Sequence, residues 1–258
     1  MNYMQGVYQI YSCERLTGTT YSFVVRCEKI AGAAKAGQFA HVRIPGFMLR
    51  RPISICEVLR DIGCIRLVFD IRGAGTQTLA HCEAGCDVDL LAPLGNGFDL
   101  LDGDKKAIVI GGGIGVPPLL EIAKHYGKNA CAVMGFKNAE AVILQEDFAA
   151  AGSIIRLCTD DGSMGEKGFV TPLLERELKA QKTDIIYACG PRPMLKAVQE
   201  LAARYGVRCQ LSLEERMACG VGACLGCACK TKKNGVEGYS HVCKDGPVFE
   251  AEEVVFDE

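Results

Sequence analysis

Four cysteines crowd into fourteen residues, "MACGVGACLGCACK" (217–230), and no other feature limits so strongly what the chain can fold around. Cys219, Cys224 and Cys227 have the spacing C-x4-C-x2-C, and Cys243 follows after fifteen further residues. The first three match the plant-type 2Fe-2S spacing; the last gap has only to let the chain return to the cluster. The intervening "GVGA" and "LG" suit a loop that wraps backbone N–H groups around sulfur, because glycine reaches φ values closed to other residues. Such amides stabilise a reduced cluster and help set its potential. The competing reading is a structural zinc site, but those use paired C-x2-C units, and this loop has one such pair behind an x4 gap. Cys229 competes with Cys243 for the fourth position. It stands at the start of a strand-like run, which turns its sulfur away, so Cys243 is the expected ligand.

The chain has 258 residues and fifteen cysteines. An odd count and irregular spacing argue against a disulfide framework. The scattered cysteines (Cys13, Cys27, Cys56, Cys64, Cys82, Cys86, Cys131, Cys158 and Cys209) are expected to be small buried hydrophobes. Net charge is −2 with mixed signs throughout, which gives no footprint for nucleic acid or an anionic membrane. The N-terminal stretch lacks the basic start and apolar run of a signal peptide, and "AIVIGGGIGVPPLL" is too short and too broken by Gly and Pro to span a bilayer. The expectation is a soluble cytoplasmic protein.

Three textures divide the chain. Up to residue 101, short β-like runs follow one another ("VYQIYSC", "YSFVVRCE", "QFAHVRI", "ISICEV", "CIRLVFD", "DVDLL"), predicting a six-stranded antiparallel barrel. From 102 to 214, apolar runs at 107–111, 130–135, 154–158, 184–190 and 207–213 alternate with helical segments, clearest at "PPLLEIAKHYG" and "PRPMLKAVQELAARYG". That rhythm predicts a five-stranded parallel sheet covered on both faces, an α/β nucleotide-binding domain. "LLDGDKK" (100–106) is the expected hinge, and 215–258 form a separate cysteine-bearing segment. The fold class is therefore α/β plus β.

"LRRPISI" (49–55) sets arginines, a proline and a serine at a strand start, and "IRGAGTQTLA" (71–80) places glycines and a threonine before a helix. Amides at a helix start bind phosphate. Together the two stretches suit a flavin, with Arg51 to Ser54 along the isoalloxazine and Gly75 and Thr76 on the pyrophosphate. "GGGIGVPP" follows a strand and opens a helix, but Pro118 replaces the last glycine of a dinucleotide fingerprint, and no Asp or Glu follows the next strand before Glu140. No Ser, His and acid arrangement suggests hydrolysis. The four histidines (His41, His81, His125, His241) stand singly, and none is expected to act directly.

"RRPISI", "GAGT", "PLGNGFD", "GGGIGVPPLL", "ACGPRPM", "LEERMACGVGACLGCAC" and "CKDGPVF" occur in that order. In this the chain resembles, over essentially its whole length, the electron-transfer subunits of NAD-dependent (class 1B) dihydroorotate dehydrogenases, within the ferredoxin reductase superfamily. The resemblance implies an FAD-binding barrel (1–101), a pyridine-nucleotide lobe (102–214) and a 2Fe-2S segment (215–258). It implies flavin contacts at Arg51, Pro52, Ile53, Ser54, Phe69, Asp70, Ile71, Gly75 and Thr76. Many relatives carry a basic residue where Asp70 stands, so Asp70 is expected to act through its backbone. Nucleotide contacts would be Gly113, Thr159, Cys189 and Gly190, with cluster ligands Cys219, Cys224, Cys227 and Cys243. The implied partner is an FMN-containing catalytic subunit, in a heterotetramer of two of each kind, with NAD as electron acceptor; no catalytic residue is expected in this chain. Alternatives are a subunit of an NADH-dependent ferredoxin:NADP oxidoreductase or of a sulfide dehydrogenase, and a zinc-stabilised nucleotide-binding regulatory module.

Overall fold

The computed structural model describes residues 3–256. Six strands close into an antiparallel barrel: β1 (Met4–Arg15), β2 (Thr20–Arg26), β3 (Phe39–Arg43), β4 (Arg51–Leu59), β5 (Cys64–Asp70) and β6 (Asp87–Leu94), in the order β1-β2-β5-β4-β3-β6. Alternation explains the closure. Ala40 and Val42 on β3 and Val88 and Leu90 on β6 point inward to a core that also holds Ile10, Phe23 and Ile65. Closure leaves no free edge to pair with another chain. Two six-residue helices, α1 (Glu28–Ala33) and α2 (Ala74–Leu79), fill barrel connections.

The nucleotide-type lobe is built on β7 (Ala107–Gly112), β8 (Ala130–Phe136), β9 (Ile154–Thr159), β11 (Ile185–Cys189) and β12 (Arg208–Ser212). These are the five expected parallel strands. The sheet is longer at both edges: the two-residue β10 (Glu166–Lys167) joins β9, and β15 (Val248–Glu250) pairs antiparallel with β12. β15 comes from the cysteine-bearing segment, which therefore completes the sheet rather than hanging from it. Helices α3 (Leu120–Tyr126), α4 (Gln145–Ala150), α5 (Val170–Ala180) and α6 (Arg192–Tyr205) complete the lobe. Between β12 and β15 a hairpin, β13 (Ala228–Lys233) and β14 (Val236–His241), stands apart as a two-stranded sheet.

The order β9-β8-β7-β11-β12 reverses between β7 and β11. Open α/β sheets bind ligands at the carboxyl ends of strands beside such a reversal. The loops leaving β7 and β11 meet there. Gly115 lies so close to the β11 exit that a Cβ on it would stand 2.3 Å from the Cys189 carbonyl oxygen, so only glycine fits.

Polar and aromatic contacts fix the lobes together. Glu57 on β4 pairs with Lys124 on α3, Arg66 on β5 reaches Asp147 on α4 at 2.5 Å and Glu57 at 3.6 Å, and the Val58 amide donates to Glu121. Phe98 packs edge-on to Tyr187 at 5.4 Å. The cysteine segment is tied to both: Asn96 donates through its amide to the Gly246 carbonyl, and Leu213 to that of Pro247. Six of the nine scattered cysteines are buried as expected. Cys13 and Cys86 are exposed and Cys82 is half-buried, which corrects the expectation for these three. They lie near one end of the barrel, on the outward side of β1 and in the turn before β6. Among the described residues no helix is long and apolar enough to cross a membrane.

Candidate functional site

A cleft of about 1200 Å³ opens where the barrel, the β7–β11 switch point and the cysteine segment meet. One wall is the start of β4. Arg51, Pro52, Ile53 and Ser54 all line it, with Phe69 and Asp70 from the end of β5. Arg51 is anchored: its guanidinium donates to the Leu49 carbonyl at 2.5 Å and stacks over Phe47 at 5.4 Å. Gly75 sits against that guanidinium, and a Cβ there would stand 2.9 Å from it, so the two flavin stretches meet in space. Thr76 also lines the cleft, and its hydroxyl accepts from the Arg72 amide. The Asp70 carboxylate accepts from Thr20 at 2.7 Å and faces Arg72 at 3.6 Å, so it is engaged within the barrel. Ile71 does not line the cleft; its amide bonds to the Thr19 carbonyl.

The facing wall comes from the nucleotide-type lobe. Gly113 (φ +54), Cys189 and Gly190 line it. Burial pushes the Cys189 thiol up to about 12, against a hydrogen bond from Ser212, so it is a neutral packing group and not a nucleophile. Thr159 lies elsewhere: it is fully buried, and its hydroxyl exchanges hydrogen bonds with Met164 across the following turn. The neighbouring Asp160 lines the cleft instead. Sequence reasoning missed Phe169, Arg192, Glu215 and Phe256, all on the cleft wall. Arg192 pairs with Glu215 at 2.9 Å and lies under the Phe256 ring at 5.7 Å. These four stand far apart in the chain; Arg192 and Glu215 lie inside the "ACGPRPM" and "LEERMACGVGACLGCAC" motifs, while no local pattern marks Phe169 or Phe256.

Glu215, Arg216, Met217, Cys229 and Lys230 of the cysteine-bearing segment line the third side, while Cys219, Cys224, Cys227 and Cys243 lie outside that lining. The sulfurs of these last four form two pairs. Cys227 and Cys243 sit 3.2 Å apart, sulfur to sulfur, and both are buried. Cys224 hydrogen-bonds the Cys219 side chain. Amides point inward at sulfur: Val221, Ala223 and Cys224 donate to Cys219, Gly222 to Cys243, and Cys243 to Cys227. Gly220 and Gly222 take φ of +72° and +82° to aim those amides. Leu225 takes φ +61° without being glycine, a local strain held by the loop around it. Burial opposes ionisation of Cys219, but the hydrogen bonds from Val221, Cys224 and Ala223 outweigh it and draw the thiol down to about 6. Burial and its contact with Cys227 push Cys243 up to about 12. Cys229 is buried on β13 opposite Ser240, with its thiol raised by burial to about 11.

This arrangement passes a test of fit for a two-iron cluster. Among the described residues no three His, Cys, Asp or Glu side chains gather as ligands of a single ion. Cys219, Cys224, Cys227 and Cys243, with backbone amides aimed at the Cys219, Cys227 and Cys243 sulfurs, are the residues that would hold an iron-sulfur cluster, whose reduced charge those donors would stabilise.

Residues 214–255 match the family described as the iron-sulfur cluster binding domain of dihydroorotate dehydrogenase B, and residues 109–200 match the oxidoreductase NAD-binding domain. The chain is 43% identical to the dihydroorotate dehydrogenase B (NAD(+)) electron transfer subunit of Geobacillus kaustophilus, over 92% of this chain and 93% of that one. The chain belongs to the family of dihydroorotate dehydrogenase B electron transfer subunits. A second member, from Streptococcus mutans, is 42% identical over 92% of this chain and 93% of its own. Among solved structures, one described as an NADH-dependent reduced ferredoxin-NADP oxidoreductase superposes with a TM-score of 0.86 at 27% identity, covering 97% of this chain and 90% of that one. A ferredoxin NADP+ reductase from Neisseria gonorrhoeae shares the fold at TM-score 0.64 and 19% identity, covering 78% of this chain and 92% of that one. The dihydroorotate dehydrogenase B electron transfer family thus combines the reductase fold with the cysteine segment seen here.

Proposed function

We propose that this chain carries electrons from a catalytic dihydroorotate dehydrogenase subunit to NAD+, in pyrimidine biosynthesis. The observation that carries this reading is the meeting of three walls on one cleft: the arginine–proline–serine strand, the switch-point loops and the cysteine-bearing segment, which reaches the cleft at Glu215–Met217 just ahead of Cys219. Arg51, Pro52, Ile53, Ser54, Phe69 and Asp70 would hold the flavin of FAD, with Gly75 and Thr76 on its pyrophosphate and Ile71 fixing the end of β5 behind them through the Thr19 carbonyl. Gly113, Cys189 and Gly190 would position the nicotinamide nucleotide across the cleft, and Thr159 would shape its loop from behind. Cys219, Cys224, Cys227 and Cys243 would ligate a 2Fe-2S cluster. When bound, the cluster carries single electrons and the flavin exchanges them for the hydride of the nicotinamide.

The protein's own part is positioning and tuning. Arg51 presents a fixed positive charge beside the flavin wall, and the inward amides of Val221, Gly222, Ala223 and Cys224 stabilise negative charge on sulfur. Neutral Cys189 adds no competing chemistry. No general base for dihydroorotate is needed here; that group belongs to the partner. The partner is proposed to carry FMN, in a heterotetramer of two of each subunit, docked over the exposed side of the cluster loop at Cys224 and Leu225. Fifteen free cysteines support a reducing, cytoplasmic setting.

The test is a visible spectrum of the anaerobically purified chain before and after dithionite, with iron and zinc assayed on the same sample. Flavin bands, broad absorbance that bleaches on reduction and about two irons per chain are expected. A colourless protein with bound zinc would overturn the redox reading. Reconstitution with an FMN-containing partner should then give NADH from dihydroorotate. NADH oxidation coupled only to ferredoxin would instead place the chain with the oxidoreductase whose structure it shares at TM-score 0.86.

A further inference from the structure

Between the flavin wall and the cysteine loop lies a side chain that the proposed function leaves unused. His41, on β3, has no exposed surface. Its direct cross-strand neighbour is Pro52, so both side chains leave the same face of the sheet. Phe39, on that same face, packs into the core around Cys227 and Cys243, its ring edge-on to His41 at 6.5 Å. On the other side the imidazole meets the cysteine loop. Its Nδ1 lies 2.6 Å from where a Cβ on Gly220 would stand, and Gly220 directly follows Cys219. One ring therefore spans the distance from the flavin strand to the cluster loop.

The ring is chemically costly for a purely space-filling role. A neutral imidazole has one N–H donor and one acceptor nitrogen. Among the described residues neither nitrogen has a hydrogen-bond partner, whereas buried polar groups nearly always have one. A phenylalanine would fill the site without burying two polar atoms. The charged groups facing the ring, Arg50 and Arg51, are donors and keep it neutral. They are also engaged elsewhere, Arg50 with Asp89 and the His41 carbonyl, Arg51 with the Leu49 carbonyl. The Arg50 backbone approaches the ring without hydrogen-bonding geometry, and on the loop side the ring abuts Gly220, the residue next to the Cys219 sulfur.

We propose that His41 is a positioning residue for the cluster: its ring N–H serves the sulfur-rich loop, stabilises the reduced cluster and fixes Gly220 against the flavin strand. The inference rests on the cluster reading above. Hydrogen bonds to sulfur favour the more negative, reduced state and raise the potential.

The experiment is an EPR-monitored redox titration of the anaerobic holoprotein, with the flavin midpoint followed optically on the same samples. His41→Phe should keep its iron but shift the cluster's reduction equilibrium about tenfold toward the oxidised form, about 59 mV for one electron. The flavin midpoint should stay in place. His41→Gln, which retains an N–H donor, should recover at least half of that shift. An unchanged cluster midpoint in His41→Phe would overturn the proposal, and so would a shift confined to the flavin. Should His41→Phe fail to fold, pulsed EPR on 15N-histidine-labelled His241→Asn protein, which removes the histidine two residues from Cys243, decides. A histidine nitrogen coupled to the reduced cluster is expected; no coupling would overturn it. A wild-type protein with no reducible iron would instead sink the cluster reading itself, a distinguishable result.

Discussion

Single residues decide what the cysteine segment holds. Cys219, Cys224, Cys227 and Cys243 differ in burial, yet each contributes to one of two sulfur pairs. Replacing Cys243 by serine should abolish the cluster, with iron falling from about two per chain to none in a colorimetric assay. The same change at Cys229, which faces Ser240 from inside a strand pair, should leave iron content unchanged. His41 makes a prediction about acid. Burial, followed by the Arg50 and Arg51 charges, lowers it from 6.5 to about 4. The Arg50 backbone also approaches the ring, outside hydrogen-bonding geometry, and opposes that shift. Between these values the unfolded chain binds a proton that the folded chain does not. Folding stability should therefore fall as pH drops from 6.5 to 4, by up to about 3 kcal/mol, with no contribution above 6.5. Urea midpoints at pH 7 and pH 4.5 would show the loss in wild type and a smaller loss in His41→Phe.

At the scale of elements, β7 and the loop after it carry the proposed nucleotide site. Every residue of β7 from Ala107 to Gly111 is buried, as a strand covered on both faces requires, and that run was legible in the sequence. The glycine string after it was legible as a turn, but its reason was not. Gly115 is needed because the β11 exit passes within reach of any side chain there. Gly115→Ala should therefore destabilise the lobe by about 1–3 kcal/mol and weaken NADH oxidation, read by thermal denaturation and a dye-reductase assay. Thr159 marks the limit of motif reading. It ends a strand on the expected edge, yet its hydroxyl turns back to Met164 while Asp160 reaches the cleft. Strand periodicity places a residue at a sheet end; only the turn geometry decides which neighbour faces the ligand.

For the whole molecule, the relation of the lobes matters most, because the candidate flavin wall and the switch point lie on different ones. The Glu57, Arg66, Lys124 and Asp147 network spans that junction, and the Glu57 and Arg66 side chains are only 10% and 12% exposed. Removing one member strands the others in a poorly solvated place. Arg66→Met should cost about 3 kcal/mol and slow electron transfer from NADH to the cluster, checked by chemical denaturation and stopped-flow absorbance.

The sequence alone determined what is local or periodic. Strand alternation marked the six barrel strands, buried apolar runs marked the five parallel ones, and the C-x4-C-x2-C spacing marked the cysteine loop. Each signal lies within a few residues, where backbone geometry and burial act directly on the pattern. Tertiary structure decided what brings distant segments together. It pairs Cys243 with Cys227, adds β15 to the sheet, carries Arg192, Glu215 and Phe256 to one cleft, and buries His41 between two walls. Those juxtapositions follow from how the barrel, sheet and hairpin pack against one another, and a linear pattern does not encode which distant surfaces will meet.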